Sequence, residues 1–267
     1  MKLQPEALIE AYVYPLFMAT NERELISGMC WGSIPLVVAS LIIQDSSPSS
    51  SSTSSRFLIP GRIARFLQEC PAFFIPVVLV AYGKQKTYDS VVNQLCLGLF
   101  IMHFFQRCFI SPLLMTSQKP TRFLPFLLAF LTHTYNGILH GIYFVNYYRF
   151  NDEEWFYKPN FYIGFAFFLY GMKINIGADS VFRKSEIQSQ LQIPTGGWFE
   201  KISCPHYFGE IVEMWGYALV SLAPPALVLA ATTTLLLARR ALHSHQWYLK
   251  KYEDYPRTRK AVFPFLL

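Results

Sequence analysis

Residues 25–43 read LISGMCWGSIPLVVASLII, a run of 19 residues without one Asp, Glu, Lys or Arg. A helix needs about 20 mostly apolar residues to cross the hydrocarbon core of a bilayer. Comparable stretches occur at 91–105, 123–131 and 160–172. Of the 267 residues, 52% are apolar and only 15% are charged, against roughly 25% charged residues in soluble domains. The composition predicts a membrane protein and excludes a disordered chain or a secreted disulfide scaffold.

The apolar pattern predicts an all-α bundle of about seven transmembrane helices. Pro224-Pro225 separates the last two spans and predicts a tight turn, because proline breaks a helix. Residues 7–20 form a segment too short to span and are expected at the interface, and residues 44–55 read as a flexible Ser-rich loop. We divide the chain into an N-terminal region, 1–55, and a membrane domain, 56–267. The predicted spans are 25–43, 67–83, 91–110, 123–147, 160–178, 207–222 and 223–241.

The distribution of basic residues predicts the orientation of the bundle. With the N-terminus outside, fifteen Lys and Arg residues fall on one side of the membrane and six on the other. The positive-inside rule makes the richer side cytosolic, together with the C-terminus. The run Asp152-Glu153-Glu154 then lies on the opposite side. The basic residues flank apolar spans, so we expect membrane lipids and no nucleic acid as partners, and the N-terminus does not read as a cleaved signal peptide.

Polar side chains within the predicted spans indicate a functional cavity. An ionised group there costs at least about 2.5–3.5 kcal/mol, so such groups usually line a site. Helical spacing places the members of each of three sets on one helix face. The sets are His103 with Arg107 (i,i+4), His133 with Asn136 and His140 (i,i+3,i+7), and Glu210 with Glu213 (i,i+3). The alternative is a set of pairs that hold the bundle together, such as Glu213 with Lys173. The full set is Gln68, Glu69, His103, Arg107, His133, Asn136, His140, Lys173, Asn175, Glu210 and Glu213.

The cytosolic side carries a second polar cluster, suited to a phosphorylated nucleotide. Asn175 and Asp179 lead into Arg183-Lys184, and a basic tail follows; Arg and Lys neutralise phosphate. A basic patch that binds anionic lipid is the alternative. No two glycines lie two residues apart, which excludes the GxGxxG fingerprint of a Rossmann domain. The five cysteines form no CxxC pair, no HExxH occurs, and we expect neither a disulfide nor a metal site.

Six blocks of sequence resemble the steroid 5α-reductase family. RFLQECPAFFIP and HFFQRCFISPLL resemble its two N-terminal motifs, and four further blocks resemble its C-terminal half. The resemblance implies a seven-helix enzyme of the endoplasmic reticulum membrane, whose cytosolic loops and C-terminal tail close over a nucleotide site. It also implies that the enzyme binds NADPH and reduces the C4–C5 double bond of 3-oxo-4-ene steroids. The C-terminal blocks are GMKINIGADSVFRK (171–184), IPTGGWFEKIS (193–203), YFGEIVEMWGYAL (207–219) and RALHSHQWYLKKYEDYPRTRKAVFPFLL (240–267).

The resemblance also assigns site residues. Gln68 and Glu69 would face the substrate ketone, and we assign Phe104, Arg107 and Asn136 to the substrate. The sequence departs from the family in having Phe104 for a Tyr, His206 for an Asn, Leu191 for a Tyr and Ser244 for a His, and Lys184 would replace an Arg. The implied cofactor-binding residues are Lys119, Asn175, Asp179, Arg183, His206, Glu210, Arg240 and Tyr248.

Reduction of an enone places negative charge on the ketone oxygen, so the site needs a hydrogen-bond donor there. Burial disfavours a carboxylate, and we therefore expect Glu69 to be protonated and to donate to the ketone, with Gln68 as a second donor. Two other functions stay open. The chain could reduce a trans-2-enoyl-CoA or a polyprenoid within the same superfamily, or it could be a lipid-binding membrane protein with a weakened reductase site.

Overall fold

The chain folds as an all-α bundle, described by a computed structural model over residues 22–45, 58–114, 120–187 and 193–264. Two short strands, β1 (Leu58–Ile59) and β2 (Thr121–Arg122), pair antiparallel just before the second and fourth helices. The helices are α1 (Glu22–Asp45), α2 (Gly61–Tyr82), α3 (Val91–Leu114), α4 (Phe123–Ile142), α5 (Asp152–Phe156), α6 (Pro159–Ile187), α7 (Pro205–Ser221) and α8 (Pro224–Lys251).

Each of the seven predicted spans overlaps one helix, which confirms the predicted all-α membrane bundle. Within the described residues, four helices are long and apolar enough to cross a bilayer: Gly61–Tyr82, Val91–Leu114, Pro159–Arg183 and Pro224–Lys251. The last two extend past the predicted ends at 178 and 241, because their polar final turns remain helical. The predicted interfacial segment 7–20 and most of the Ser-rich loop lie outside the described residues.

The predicted tight turn before the last span is confirmed. Helix α7 ends at Ser221, Leu222 adopts a left-handed conformation with φ of 47°, and α8 begins at Pro224. Proline suits the first turn of a helix because its missing N–H has no partner there in any case. The proline pair therefore begins α8 and does not merely interrupt a longer helix.

Glycines bring α6 and α7 into direct backbone contact. The two helices run antiparallel, with Gly164 opposite Gly216 and Gly171 opposite Gly209. A Cβ on Gly209 would lie only 2.6 Å from the backbone nitrogen of Asn175. Small residues at such seams let helix backbones pack closely in lipid, where van der Waals contact drives association. This contact places Asn175 of α6 beside the first turn of α7.

A second glycine seam joins α4 to α2. Gly137 and Gly141 lie at this contact, and a Cβ on Gly137 would lie 2.8 Å from the carbonyl oxygen of Pro71. On α1, a Cβ on Gly32 would lie 2.7 Å from the Tyr135 hydroxyl of α4, whereas no described atom lies within 4 Å of the Cβ position of Gly28. The α2–α4 seam brings Glu69 and Asn136 to the same side of the bundle.

Asp152 has a structural role in the predicted solvated loop. Its carboxylate accepts hydrogen bonds from the Ser90 hydroxyl (2.6 Å) and from the backbone amides of Val91 (2.9 Å) and Val92 (3.0 Å). Burial opposes ionisation of this carboxyl, but the three hydrogen bonds outweigh it and lower the pKa of Asp152. A carboxylate at this position satisfies the free N–H groups of the first turn of α3.

The described cysteines are unpaired and behave as small apolar residues. Cys96, Cys108 and Cys204 are buried. Burial raises the pKa of the Cys204 thiol to about 12, so it stays protonated at neutral pH. A protonated, enclosed thiol packs as a small hydrophobe, and its side chain is neither an effective nucleophile nor a metal ligand.

Candidate functional site

A cavity of about 750 Å³ lies inside the bundle, between α1, α2, α3, α4, α7 and α8. This volume is within the range of small-molecule sites, which are mostly apolar with a few placed polar groups. Its apolar wall includes Val37, Phe104, Leu128, Met214, Leu229 and Leu236, and hydroxyl groups come from Ser40, Thr121, Thr132, Tyr207, Thr232, Thr233 and Ser244. The charged and amide side chains of the wall are Arg65, Gln68, Glu69, His103, Arg107, His133, Asn136, Glu210, Arg239, Arg240 and His243.

The prediction that polar helix faces meet in one pocket is confirmed for seven of the residues in spans: Gln68, Glu69, His103, Arg107, His133, Asn136 and Glu210 all line the cavity. The other members of the predicted set lie elsewhere. His140 stacks on Phe100 in the core, with ring centroids 4.4 Å apart. The suggested pair of Glu213 with Lys173 is wrong, because Lys173 is exposed on the outer face of α6 and Glu213 contacts His103.

Arg107 links three helices at the centre of this wall. From α3 its Nε donates to Glu69 Oε2 on α2 (3.2 Å), and its Nη2 donates to Glu69 Oε1 (3.3 Å). Its Nη1 lies 3.2 Å from Glu210 Oε2 on α7. Arg107 is part of a π-helical turn, Gln106–Ile110, and such wide turns occur frequently at functional sites. The sequence does not reveal this turn.

The surroundings of Glu69 correct the expectation of a protonated carboxyl. In addition to the two contacts with Arg107, Glu69 Oε1 lies 3.5 Å from the Nε of Arg65, one helical turn earlier on α2. The Glu69 side chain is only 2% exposed. A carboxylate between two guanidinium groups is held in its charged form, because the neighbouring positive charges outweigh desolvation. The expectation was based on burial alone and did not take these two arginines into account.

Phe104 itself offers no hydroxyl group to the wall. Phe104 is buried and packs against Phe100, with ring centroids 4.7 Å apart, and against His133 at 5.6 Å. The neighbouring His103 contacts Glu213 through its Nδ1, at 2.9 Å. At this point of the wall the chain therefore supplies an aromatic surface and a fixed imidazole.

The α6–α7 contact holds two buried polar atoms without a partner. Asn175 Nδ2 donates to the backbone oxygen of His206 (3.0 Å). Asn175 Oδ1 and the ring atom His206 Nδ1 make no hydrogen bond to any described residue. Buried polar groups are nearly always satisfied in native structures, so this pair is suited to hydrogen bonding with a ligand.

The C-terminal half of α8 adds positive charge to the cavity. Arg240, a predicted cofactor residue, lines the wall together with Arg239 and His243, which the resemblance did not indicate. The sequence shows these residues as a basic run, but it does not show that their side chains face the cavity. Glu210 is also in the wall, whereas Lys119 lies outside the described residues.

The remaining predicted cofactor residues lie outside the cavity wall. Asp179 on α6 interacts electrostatically with Arg107, Arg65 and Arg183, which links the second polar cluster to the charged wall. Tyr248 stacks on Tyr255, with ring centroids 5.2 Å apart and planes 11° apart. The structure therefore brings Asp179 and Arg183 close to the charged centre, and it places Tyr248 in the packing of the tail.

The C-terminal tail is fastened to the loop that precedes α7. The Tyr255 hydroxyl donates to Ser203 Oγ (2.7 Å), and Ser203 Oγ contacts the Nδ1 of His245 (2.6 Å). The buried Arg259 donates to the backbone oxygen of Pro194 (2.9 Å), and a parallel bridge pairs Ile202 with Lys260. These contacts fix the end of α8 and its basic residues relative to α7.

Comparison with known proteins identifies similar sequences for most of the chain. The family described as 3-oxo-5-alpha-steroid 4-dehydrogenase matches residues 119–267. The 3-oxo-5-alpha-steroid 4-dehydrogenase 1 of Mus musculus is 40% identical over 211 residues, 78% of this chain and 82% of the relative. The type 2 protein of Mus musculus is 39% identical over 220 residues, 82% and 85% of the two chains. The type 1 protein of Homo sapiens is 37% identical over 215 residues, 80% and 83%.

We expect the Arg107→Gln variant to be much less stable than the wild type, because it leaves Glu69 and Glu210 without their shared cation. Loss of one partner from a buried ion pair costs about 3–5 kcal/mol. The control is Arg149→Gln, which removes an exposed pair with Asp89 (2.6 Å, side chains 62% and 61% exposed) and should cost less than about 1 kcal/mol. Unfolding of the detergent-solubilised protein measures both. Equal losses would contradict the central role of Arg107.

Proposed function

The chain belongs to the 3-oxo-5-alpha-steroid 4-dehydrogenase family, which consists of oxidoreductases acting on CH–CH bonds, and we propose that it reduces the C4–C5 double bond of 3-oxo-4-ene steroids with NADPH. The observation that carries the proposal is the cavity, which combines an apolar wall with the charged cluster around Glu69. Residues 56–267 are proposed as the reductase domain, to whose cavity α1 adds Val37 and Ser40.

The ketone of the substrate is proposed to lie at Gln68 and Glu69. During reduction, negative charge develops on the ketone oxygen, and donors fixed in a water-excluded cavity stabilise it most effectively. The Gln68 amide can donate there, and Glu69 holds the guanidinium groups of Arg65 and Arg107 in place. Phe104 and Asn136 would contact the steroid, since both line the cavity.

NADPH, when bound, supplies the hydride. The partnerless atoms Asn175 Oδ1 and His206 Nδ1 support this cofactor, because they can hydrogen-bond a carboxamide. The arginines at the end of α8 suit its phosphates. The complete proposed set is Lys119, Asn175, Asp179, Arg183, His206, Glu210, Arg240 and Tyr248.

Replacement of the proposed cofactor residues should weaken NADPH binding and leave steroid binding nearly unchanged. We expect Arg240→Ala to lose about 1.5–3 kcal/mol of binding free energy, the typical value for a hydrogen bond to a charged group. Asn175→Ala should also weaken binding. The control is Arg257→Ala, which removes an exposed basic residue of the tail. Titration by NADPH fluorescence measures all three, and wild-type affinity in both Arg240→Ala and Asn175→Ala would make the basic end of α8 a lipid contact instead.

The reaction is tested with purified protein in detergent, NADPH and three enones, while the cofactor absorbance is followed. We expect a simple 4-ene-3-ketosteroid to be reduced, and Glu69→Gln to reduce it far more slowly because the charge that holds both guanidinium groups is lost. Faster turnover of a trans-2-enoyl-CoA or a polyprenal would assign the enzyme to another branch of the superfamily. Absence of turnover with all three would favour a lipid-binding protein with a weakened site.

The protein is proposed to reside in the endoplasmic reticulum membrane with its C-terminus in the cytosol. The support is the asymmetry of fifteen to six basic residues between the two sides. A reporter fused after Leu267 should therefore read cytosolic, and one inserted at Asp152–Glu154 should read lumenal. Three spans are predicted between the two reporters. If both reporters read the same side, the number of spans between them is even and the prediction is wrong.

A further inference from the structure

Arg65 is a charged residue of the cavity wall that the resemblance does not assign to the site. It lies one helical turn before Glu69 on α2, and its Nε is 3.5 Å from Glu69 Oε1. Its side chain is 22% exposed, against 2% for Glu69. Arg65 therefore reaches the cavity at the position where we place the substrate ketone.

Neither Glu69 nor Phe104 is an acidic donor for the ketone oxygen. Glu69 is paired with Arg107 through both of its oxygens, so it is a carboxylate that would repel a developing oxyanion. Phe104 presents no hydroxyl group to the cavity. Addition of a hydride to an enone nevertheless requires stabilisation of negative charge on that oxygen.

Arg65 is better placed for this role than Arg107. Arg107 is held by two carboxylates, with contacts of 3.2 Å to Glu69 and 3.2 Å to Glu210. The Arg65 side chain contacts Glu69 at 3.5 Å and is the more exposed of the two arginines, at 22% against 17% for Arg107. A guanidinium carries five N–H donors in a planar fork, so it can retain one carboxylate contact and donate to a second oxygen.

We propose that Arg65 is a catalytic residue of this enzyme, which donates a hydrogen bond to the ketone oxygen and stabilises the enolate formed during reduction. The inference rests on the proposed function. A hydride supplied by the cofactor would add to the β-carbon. The π electrons of the C4–C5 bond would then form a double bond between the α-carbon and the carbonyl carbon, and the carbonyl π electrons would become a lone pair on oxygen. A proton from water then adds to the α-carbon, and the ketone is restored. Arg65 contributes charge at the oxygen and transfers no proton.

The carbonyl stretch of a bound steroid labelled with ¹³C at the ketone tests the proposal directly. In isotope-edited infrared spectra, with NADP⁺ bound so that no reduction occurs, a hydrogen bond from Arg65 lowers this frequency. We expect the frequency in Arg65→Gln to rise towards that of the free ketone. The control is Arg62→Gln, which removes an arginine of the same helix that does not line the cavity, and it should leave the frequency as in the wild type.

Turnover gives the second measurement. Arg65→Gln should lower kcat by about 10²–10³, the loss observed when one donor is removed from an oxyanion site, with little change in KM. A merely structural role would affect stability and KM but leave the carbonyl frequency of bound steroid unchanged. Phe104→Tyr in the Arg65→Gln background should restore part of the turnover, because it returns a hydroxyl donor to the wall.

Each result supports the proposal or overturns it. Wild-type frequency and kcat in Arg65→Gln would overturn it, while the unmodified enzyme would still be a steroid reductase. If Arg65→Gln fails to bind steroid, Arg65→Lys decides, because it retains the charge: a lowered carbonyl frequency supports the proposal, and the free-ketone frequency overturns it. A wild-type protein that neither binds nor reduces the enone would contradict the proposed function itself.

Discussion

The ion pairs of Arg107 are the constraint on which the rest of the site depends. Charges removed from water cost several kcal/mol each unless partners of opposite sign compensate them. Arg107 on α3 meets Glu69 on α2 and Glu210 on α7 at 3.2 Å each. Three helices from separate parts of the chain must therefore assemble with one geometry before Arg107 and both of its carboxylates are all compensated. The cavity wall follows from that geometry.

The second requirement is that α6 and α7 approach closely. Gly171 and Gly209 allow backbone contact, and the same contact places Asn175 beside His206. A larger residue at either glycine would separate the helices and move the two partnerless atoms away from each other. Close packing and a ligand-binding arrangement thus have a common cause. The tail then fixes α8 against this pair through Ser203, Tyr255 and Arg259.

The fold was predictable from the sequence because it depends on the composition of long segments of the chain. Apolar runs such as 25–43 give the helices, and Pro224-Pro225 gives the turn between α7 and α8. The shared faces of His103 with Arg107 and of His133 with Asn136 also predicted that these residues meet in one cavity. Helical spacing identifies which residues share a face, whatever the arrangement of the helices.

Pairing was not predictable, because it depends on which faces meet. Helical spacing put Glu213 on a polar face, but it could not show that His103 is its partner and that Lys173 points outward. For the same reason, burial of Glu69 was foreseen and its two guanidinium neighbours were not. The glycines spaced by seven on α6 and α7 were a usable signal, since the same interval recurs on both helices.

The charge state of Glu69 changes how the chemistry of the cavity is understood. A neutral carboxylic acid could donate a proton to a ketone, but a carboxylate held by Arg65 and Arg107 cannot. Its effect is instead to stabilise two guanidinium groups inside the cavity, since desolvation of an unpaired guanidinium is costly. Positive charge can then stabilise an oxyanion at a position where Phe104 supplies no hydroxyl. Glu69 therefore contributes by holding the two arginines in position, and the arginines contribute the positive charge.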